Sequence, residues 1–357
     1  MAEAAANSME AAPDPAASVQ VGSTGLTVSR LAIGTNPLGN LYAPLEDSAA
    51  EEMLAAAYGA GVRYFDTAPL YGYGLAEERL GRALAGLPRD SLTISTKVGR
   101  TLGSGSPPPE PGGVLVRSDG THLFQDAPAR YPSFDYSEEG VRRSLTESLE
   151  RLGLDRVDIV YIHDPDDHWE EAIGGAYPAL ARLRDEGVVT AIGAGMNQAE
   201  MLARFVRETD LDCLLLAGRY SLLDQGAAEE LFPACQARGV SVVLGGVYNG
   251  GILADPGLGM YDYLPADQGI RTRVAAIAEI CRRHDVPLAA AALRFAYRHP
   301  AVTSVVLGVR SADELEENLR HMSSPIPQSL WDDLATAGVK QTDGDPNHPR
   351  SAEQERE

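Results

Sequence analysis

Short apolar runs recur along the chain and are separated by stretches with helical spacing. The runs are Leu31–Ile33, Tyr64–Phe65, Leu92–Ser95, Ile159–Ile162, Val189–Ile192, Cys213–Leu216, Val240–Leu244 and Ser304–Leu307. Continuous apolar runs of this length suit strands covered on both faces, as in a parallel sheet. Between two of them, Val141, Leu145, Leu149 and Leu152 fall on one face of a helix that follows Ser137. Ser48 to Glu51, Asn197 to Glu200 and Ser311 to Glu314 have the spacing of capping boxes. Eight strands alternating with helices predict an α/β fold, a (β/α)8 TIM barrel. An open doubly wound sheet is the alternative, and the number of repeats disfavours it. Ser18–Ser29 reads as an N-terminal β-hairpin ahead of the first strand, placed to plug the bottom of the barrel.

The two ends lack this pattern. Residues 1–18 are rich in Ala, Pro and acid, and residues 341–357 have almost no apolar content, so both are expected to be disordered tails. The barrel is then a single domain over residues 19–340. One connection stands out within it. Residues 99–136 carry the run Ser-Pro-Pro-Pro-Glu-Pro with little periodicity, and a loop of that length after a barrel strand is expected over the active face.

Composition narrows the partners. The net charge of -21, from 30 Lys and Arg against 51 Asp and Glu, argues against nucleic acid and anionic membrane, both of which need clustered cations. No apolar run is long enough to span a bilayer, and the acidic start is not a secretory signal. The three cysteines, Cys213, Cys235 and Cys281, are widely spaced and suit neither a disulfide framework nor a Cys-rich metal site, so the expected location is cytoplasmic. The Asp166–His168 segment beside His163 and Asp164 reads as a solvated loop, and no metal is expected.

In a barrel, polar residues just after the strands face the catalytic mouth. Asp66 ends the second run, with Tyr71 five residues on; Lys97 ends the third and His163 the fourth. Each has an ordinary explanation taken alone: a turn Asp, a packing Tyr, a snorkelling Lys, a core His. Together they make a proton-transfer set. An ammonium beside a phenol favours phenolate, and a carboxylate keeps that ammonium charged and oriented. Tyr71 can then exchange a proton with a carbonyl or alcohol while His163 hydrogen-bonds the reacting oxygen. No nucleophile with its own base is present, so hydride transfer is a better fit than hydrolysis.

The run Phe65-Asp-Thr-Ala-Pro-Leu-Tyr71-Gly-Tyr-Gly-Leu-Ala-Glu-Glu-Arg-Leu-Gly-Arg-Ala-Leu84 resembles the aldo-keto reductase signature. Ser95-Thr-Lys97-Val and Val157-Asp-Ile-Val-Tyr-Ile-His163 resemble its other two catalytic segments, in the same order. The resemblance implies Tyr71 as acid/base, assisted by Asp66, Lys97 and His163. Within the family, Gly34–Tyr42, Ile162–Asp166 and Leu216–Leu223 are similar to the D-threo-aldose (L-fucose) 1-dehydrogenases and pyridoxal 4-dehydrogenase-like members. That likeness implies NAD(P)-dependent oxidation of an aldose hemiacetal or another small carbonyl or alcohol. Pyridoxal oxidation and NADPH-dependent carbonyl reduction are the alternatives. A cofactor-binding regulatory subunit without turnover is the reading from a different class.

The same resemblance suggests the binding residues. Gly34, Thr35, Gly245, Gly246, Tyr248, Gly308, Arg310 and Asn318 are expected near the cofactor, and Asn36, Tyr42 and Asp164 near the substrate. Asn197 has two readings, a helix N-cap and a holder of the nicotinamide carboxamide, and they are compatible. Two positions depart from the family pattern: Ala217 stands where many members have Gln, and Gly245 where many have an aromatic that stacks on nicotinamide. Gly308 and Glu314 occupy positions where NADP-selective members carry cations. Glu314 would repel a 2′-phosphate, so NAD is expected, with NADP possible through Arg310.

Overall fold

The computed structural model describes residues 9–104, 122–262 and 264–340. Its centre is a closed ring of parallel strands. In chain order these are β4 (Leu31–Gly34), β5 (Tyr64–Asp66), β6 (Thr93–Ser104), β8 (Ile159–His163), β9 (Ala191–Met196), β10 (Cys213–Ala217), β11 (Ser241–Gly245) and β14 (Val302–Gly308). Each pairs with the next, and β14 returns to pair with β4, so the ring itself has no open edge. All eight expected strands are present; β9 starts two residues later than the apolar run suggested.

Alternation along the strands sorts side chains into two cores. Ala32, Tyr64, Ile159, Tyr161, Ala191, Cys213, Leu215, Val243 and Val306 point into the barrel and form one buried cluster. Their sequence neighbours Leu31, Ile33, Phe65, Val160, Ile162, Leu214, Leu216, Val242, Leu244, Val305 and Leu307 pack outward in a larger cluster that includes the helices. Both faces of every strand are covered, which is why the runs lack polar alternation. The expected hairpin forms from β2 (Ser18–Gln20) and β3 (Thr27–Ser29). Val21 and Val28 join the inner cluster, and the Gly22 N–H donates to Ser241 Oγ at 2.9 Å, so the hairpin closes the bottom of the barrel.

Two expectations about irregular segments change. First, part of the N-terminal tail is placed. β1 (Met9–Glu10) pairs antiparallel with β15 (Ile326–Pro327), and Glu10 takes hydrogen bonds from Arg298 at 3.1 Å and Trp331 at 2.9 Å. The wholly buried Arg294 lies 3.6 Å from Glu10 and donates to the Ala11 carbonyl at 2.9 Å. A segment with almost no large apolar side chains is ordered here because a buried guanidinium needs acceptors. The remainder of the expected tails, residues 1–8 and 341–357, lies outside the described residues. Second, the long connection after the third barrel strand is built in part from strand. β6 runs on to Ser104 and pairs antiparallel with β7 (Arg130–Asp135). The intervening residues 105–121 lie outside the described ones, and a small hairpin of β12 (Met260–Tyr261) and β13 (Leu264–Pro265) completes the strand set.

Capping follows the sequence unevenly. Ser311 accepts the Glu314 N–H at 3.1 Å, as its spacing suggested. The helix expected to begin after Ser48 instead spans Asp47–Gly59, and the helix Ala199–Glu208 starts at Gln198, so Asn197 is not its cap.

The helix Leu75–Leu84 carries the charged part of the signature run and explains it structurally. Glu77 is fully buried, accepting from Arg151 Nε at 2.6 Å and Thr96 Oγ1 at 2.8 Å. Arg79 is also buried and donates to the Leu38 carbonyl at 2.6 Å, Asn40 Oδ1 at 2.8 Å and Asp47 Oδ1 at 2.7 Å. Removing one member of a buried pair strands the other charge. Arg151→Met is therefore expected to lower unfolding free energy by about 3 kcal/mol, read from urea denaturation, while Arg151→Met with Glu77→Leu recovers most of the loss.

Candidate active site

The four residues of the expected set meet at the C-terminal end of the barrel. Lys97 is 1% exposed, and its ammonium uses all three donors: to Asp66 Oδ2 at 2.7 Å, the Thr67 carbonyl at 2.9 Å and the Tyr71 hydroxyl at 3.0 Å. The same ammonium lies 4.6 Å from the Tyr71 ring centroid. The His163 and Tyr71 rings stand perpendicular, with centroids 6.0 Å apart. Backbone hydrogen bonds fix the turn that carries Tyr71: its N–H donates to the Ala68 carbonyl at 3.1 Å, and Gly72, Tyr73 and Gly74 all take positive φ. Gly72 and Gly39 touch backbone to backbone, and a Cβ on Gly72 would lie 2.5 Å from Gly39 Cα. The glycine after Tyr71 is thus required by a close approach as well as by φ.

The environment sets the proton states. Burial and the charges of Asp66 and Asp164 push the Tyr71 phenol well above its ordinary range, with Arg100 acting the other way. The expectation that Lys97 makes the phenol readily ionised is therefore outweighed by desolvation and two carboxylates. Burial, together with Arg100 and Lys97, holds His163 well below its usual range, so its imidazole is neutral at pH 7.

A cavity of about 330 Å³ opens beside Tyr71. Gly34, Asn36, Tyr42, Asp66, Asn197, Gly245, Gly246, Tyr248, Gly308 and Arg310, all expected near a ligand, line it. The hollow exists because the top layer of inward positions is small: Gly34, Ala217, Gly245 and Gly308 end four of the strands. The two departures from the family pattern, Ala217 and Gly245, are thus part of what makes the room. Gly246 has φ +65°, and a Cβ there would lie 2.9 Å from Gly218 N, so backbone alone forms that wall.

Thr35, Asp164 and Asn318 do not line the cavity. Thr35 is buried and its N–H donates to the Asp66 carbonyl at 2.9 Å. Asp164 sits 3.5 Å from Arg100 and 3.4 Å from His163 Nε2. Asn318 accepts from the Tyr248 hydroxyl at 2.6 Å and so acts on the cavity through Tyr248. Arg310 lines the rim, but its guanidinium is committed to the carbonyls of Leu41 at 3.0 Å, Ala43 at 3.1 Å and Pro44 at 2.9 Å. It laces the segment after β4 to the end of β14, which differs from the anion-binding role expected of it.

Several contributors were not legible beforehand. Tyr136 donates to the His163 carbonyl at 2.8 Å and the Asp164 carbonyl at 3.0 Å, and Arg100 to the His163 carbonyl at 3.1 Å. These bonds hold Asp164 at φ +39° and fix the backbone behind His163. Asn249 donates to the Gly218 carbonyl at 3.1 Å, while its buried Oδ1 has no hydrogen-bond partner among the described residues. Arg219 and Asp262 pair at 2.6 Å at the rim. An orphaned amide oxygen and glycine backbone in one cavity suit a ligand with hydroxyl, amide and phosphate groups, as a nicotinamide dinucleotide has. Gly72→Ala is expected to displace Tyr71 and lower turnover by about 100-fold, and to lower the melting temperature as well because the new Cβ meets the Gly39 backbone, checked by steady-state kinetics and thermal denaturation.

Comparison with known proteins shows the family. The model of the Aldo/keto reductase family matches residues 30–338. A D-threo-aldose 1-dehydrogenase of Pseudomonas sp. is 44% identical over 319 residues, 88% of this chain and 95% of the relative. A pyridoxal 4-dehydrogenase of Microbacterium luteolum is 41% identical, covering 89% of this chain and 96% of the relative. The solved holo form of an aldo-keto reductase from Bacillus halodurans superimposes with a TM-score of 0.68 at 24% identity, covering 93% of this chain and 98% of that one. Sequence, strand-end geometry and these matches converge: the chain belongs to the aldo/keto reductase family.

Proposed function

We propose that this protein oxidises the anomeric hydroxyl of an aldose hemiacetal to a lactone with NAD as the hydride acceptor. The observation that carries the reading is the 3.0 Å contact of a fully buried ammonium with the Tyr71 hydroxyl at the wall of the cavity. In the ionised form, the Tyr71 oxygen takes the substrate hydroxyl proton as the carbon–oxygen bond becomes a carbonyl and the hydrogen on that carbon leaves as hydride. Nicotinamide, when bound, supplies the two-electron acceptor. Neutral His163 suits a donor that orients the reacting oxygen. Asn197 and Asn249 offer amides, and Gly245, Gly246 and Gly218 offer backbone, to hold the dinucleotide.

The 44% identical aldose dehydrogenase supports the sugar substrate. The 41% identical pyridoxal 4-dehydrogenase supports pyridoxal as the second reading. The choice of NAD over NADP rests on Glu314, which lines the cavity near Gly308. Arg310 answers that carboxylate with only its backbone N–H, at 2.7 Å. A 2′-phosphate brought there meets a like charge.

The test follows reduced cofactor by absorbance, with NAD or NADP, over L-fucose, other aldoses and pyridoxal. Turnover of aldoses with NAD is expected; tight cofactor binding with no turnover on any substrate would make the protein a binding subunit instead. Tyr71→Phe is expected to lose about 1,000-fold in kcat while still quenching on cofactor addition. Because the phenol is held protonated, oxidation should accelerate as pH rises and the reverse reduction should not; an oxidation rate independent of pH would refute the acid/base role of Tyr71. Glu314→Lys should improve binding of NADP relative to NAD by about tenfold, read by fluorescence titration.

A further inference from the structure

Three of the four residues in the proposed catalytic set have a polar-tipped residue two positions earlier on the same strand. Tyr64 precedes Asp66 on β5, Ser95 precedes Lys97 on β6, and Tyr161 precedes His163 on β8. The two-residue repeat puts each on the inner face, one layer deeper in the barrel. All three are fully buried, as is Cys213 on β10. Gly193 on β9 makes the space: a Cβ there would lie 2.7 Å from the Tyr161 ring.

These groups form one unbroken chain. Ser95 Oγ donates to Asp66 Oδ1 at 2.6 Å. The Tyr64 hydroxyl lies 3.1 Å from Ser95 Oγ, and the Tyr161 hydroxyl 3.1 Å from that of Tyr64. Cys213 Sγ donates to the Tyr161 hydroxyl at 3.6 Å. The directions follow by elimination. A carboxylate only accepts, so Ser95 commits its proton to Asp66; Tyr64 must then donate to Ser95, Tyr161 to Tyr64 and Cys213 to Tyr161. Four donors in series point at one carboxylate, an arrangement in which each bond polarises the next. Burial pushes the Tyr64 and Tyr161 phenols up and the Cys213 thiol up to about 12, so all stay protonated donors. Beyond Cys213 the nearest acceptor is the Ile192 carbonyl at 3.9 Å, with the Val21 and Val28 plug below. Among the described residues the chain ends at Cys213.

We propose that Ser95, Tyr64, Tyr161 and Cys213 are positioning residues that act in series on the Asp66 carboxylate and thereby set how tightly Tyr71 holds its proton. This rests on the reading of Tyr71 as the acid/base group. The charged and titratable groups facing Tyr71 are Asp66 on β5, Lys97 and Arg100 on β6, and His163 and Asp164 at the end of β8. Of these, Asp66 alone is contacted by the chain. Donation from Ser95 draws negative charge away from the oxygens that face Lys97 and Tyr71. Losing it leaves Asp66 more negative, which raises the proton affinity of the phenol.

The experiment measures the pH dependence of kcat/KM for oxidation in Ser95→Ala, Tyr64→Phe, Tyr161→Phe and Cys213→Ala. The rising limb should move to higher pH by about one unit in Ser95→Ala and by progressively less along the series, because each link transmits only part of the polarisation. Ser95→Thr should restore the limb. Val243→Ala, which removes apolar volume from the same inner cluster, should lower the melting temperature without moving it. A parallel readout needs no turnover. In protein labelled with 13C at tyrosine Cζ, the resonance assigned to Tyr71 by its loss in Tyr71→Phe should shift in the same graded order. If no substrate is turned over, the proposed activity fails while this readout still tests the chain. A Tyr71 resonance unmoved in Ser95→Ala and Tyr64→Phe, or a limb displaced equally by Val243→Ala, would overturn the proposal.

Discussion

The Lys97–Asp66 ion pair is the constraint on which the site depends. Two unit charges at 1% and 2% exposure face a desolvation cost that their mutual attraction meets only when the leftover donors and acceptors are also satisfied. Protein groups meet that condition here. The ammonium has the Thr67 carbonyl and the Tyr71 hydroxyl as its remaining acceptors, and the carboxylate has Ser95. Tyr71, the proposed acid/base group, is thus also part of what makes the buried charge tolerable. Its turn is locked by the Gly39–Gly72 contact, and its hydroxyl is held by the ammonium.

A second constraint is geometric. A (β/α)8 barrel is filled by layers of inward side chains, and large residues in every layer leave no cavity. Here the middle layer is filled by Tyr64, Tyr161 and Leu215, while the top layer is emptied by glycine and alanine at the ends of β4, β10, β11 and β14. The polar strand ends lie on β5, β6 and β8, on the other side of the ring. Cavity and chemistry are therefore side by side because the strand order places small endings opposite charged ones.

The barrel was legible because buried parallel strands leave continuous apolar runs, and every one of those runs became a strand. The set of Asp66, Tyr71, Lys97 and His163 was legible because strand ends in a barrel point to a common mouth. What escaped reading was whatever depends on contacts distant in sequence. Arg310 carries the right charge for an anion, but only the fold reveals that three carbonyls from the segment 41–44 occupy it. Asn197 has cap spacing, yet the helix starts one residue later. Residues 9–18 look like a tail by composition and are held by arginines nearly three hundred positions away. The inner chain of hydroxyls did have a signal, a polar tip two residues before each of Asp66, Lys97 and His163, but apolar and aromatic neighbours mask it in any reading that averages over a run.

The pairing of β1 with β15 has a consequence for how the molecule is made. Glu10 leaves the ribosome 284 residues ahead of Arg294, 288 ahead of Arg298 and 321 ahead of Trp331, the groups it binds. Closing the barrel has the same ordering, since β4 must wait for β14. For most of its synthesis the nascent chain therefore carries an unpaired strand edge and an unanswered carboxylate, and contacts of this sequence separation close slowly. The finished ring has no beginning, but its assembly does, and the seam lies where the first and last strands meet.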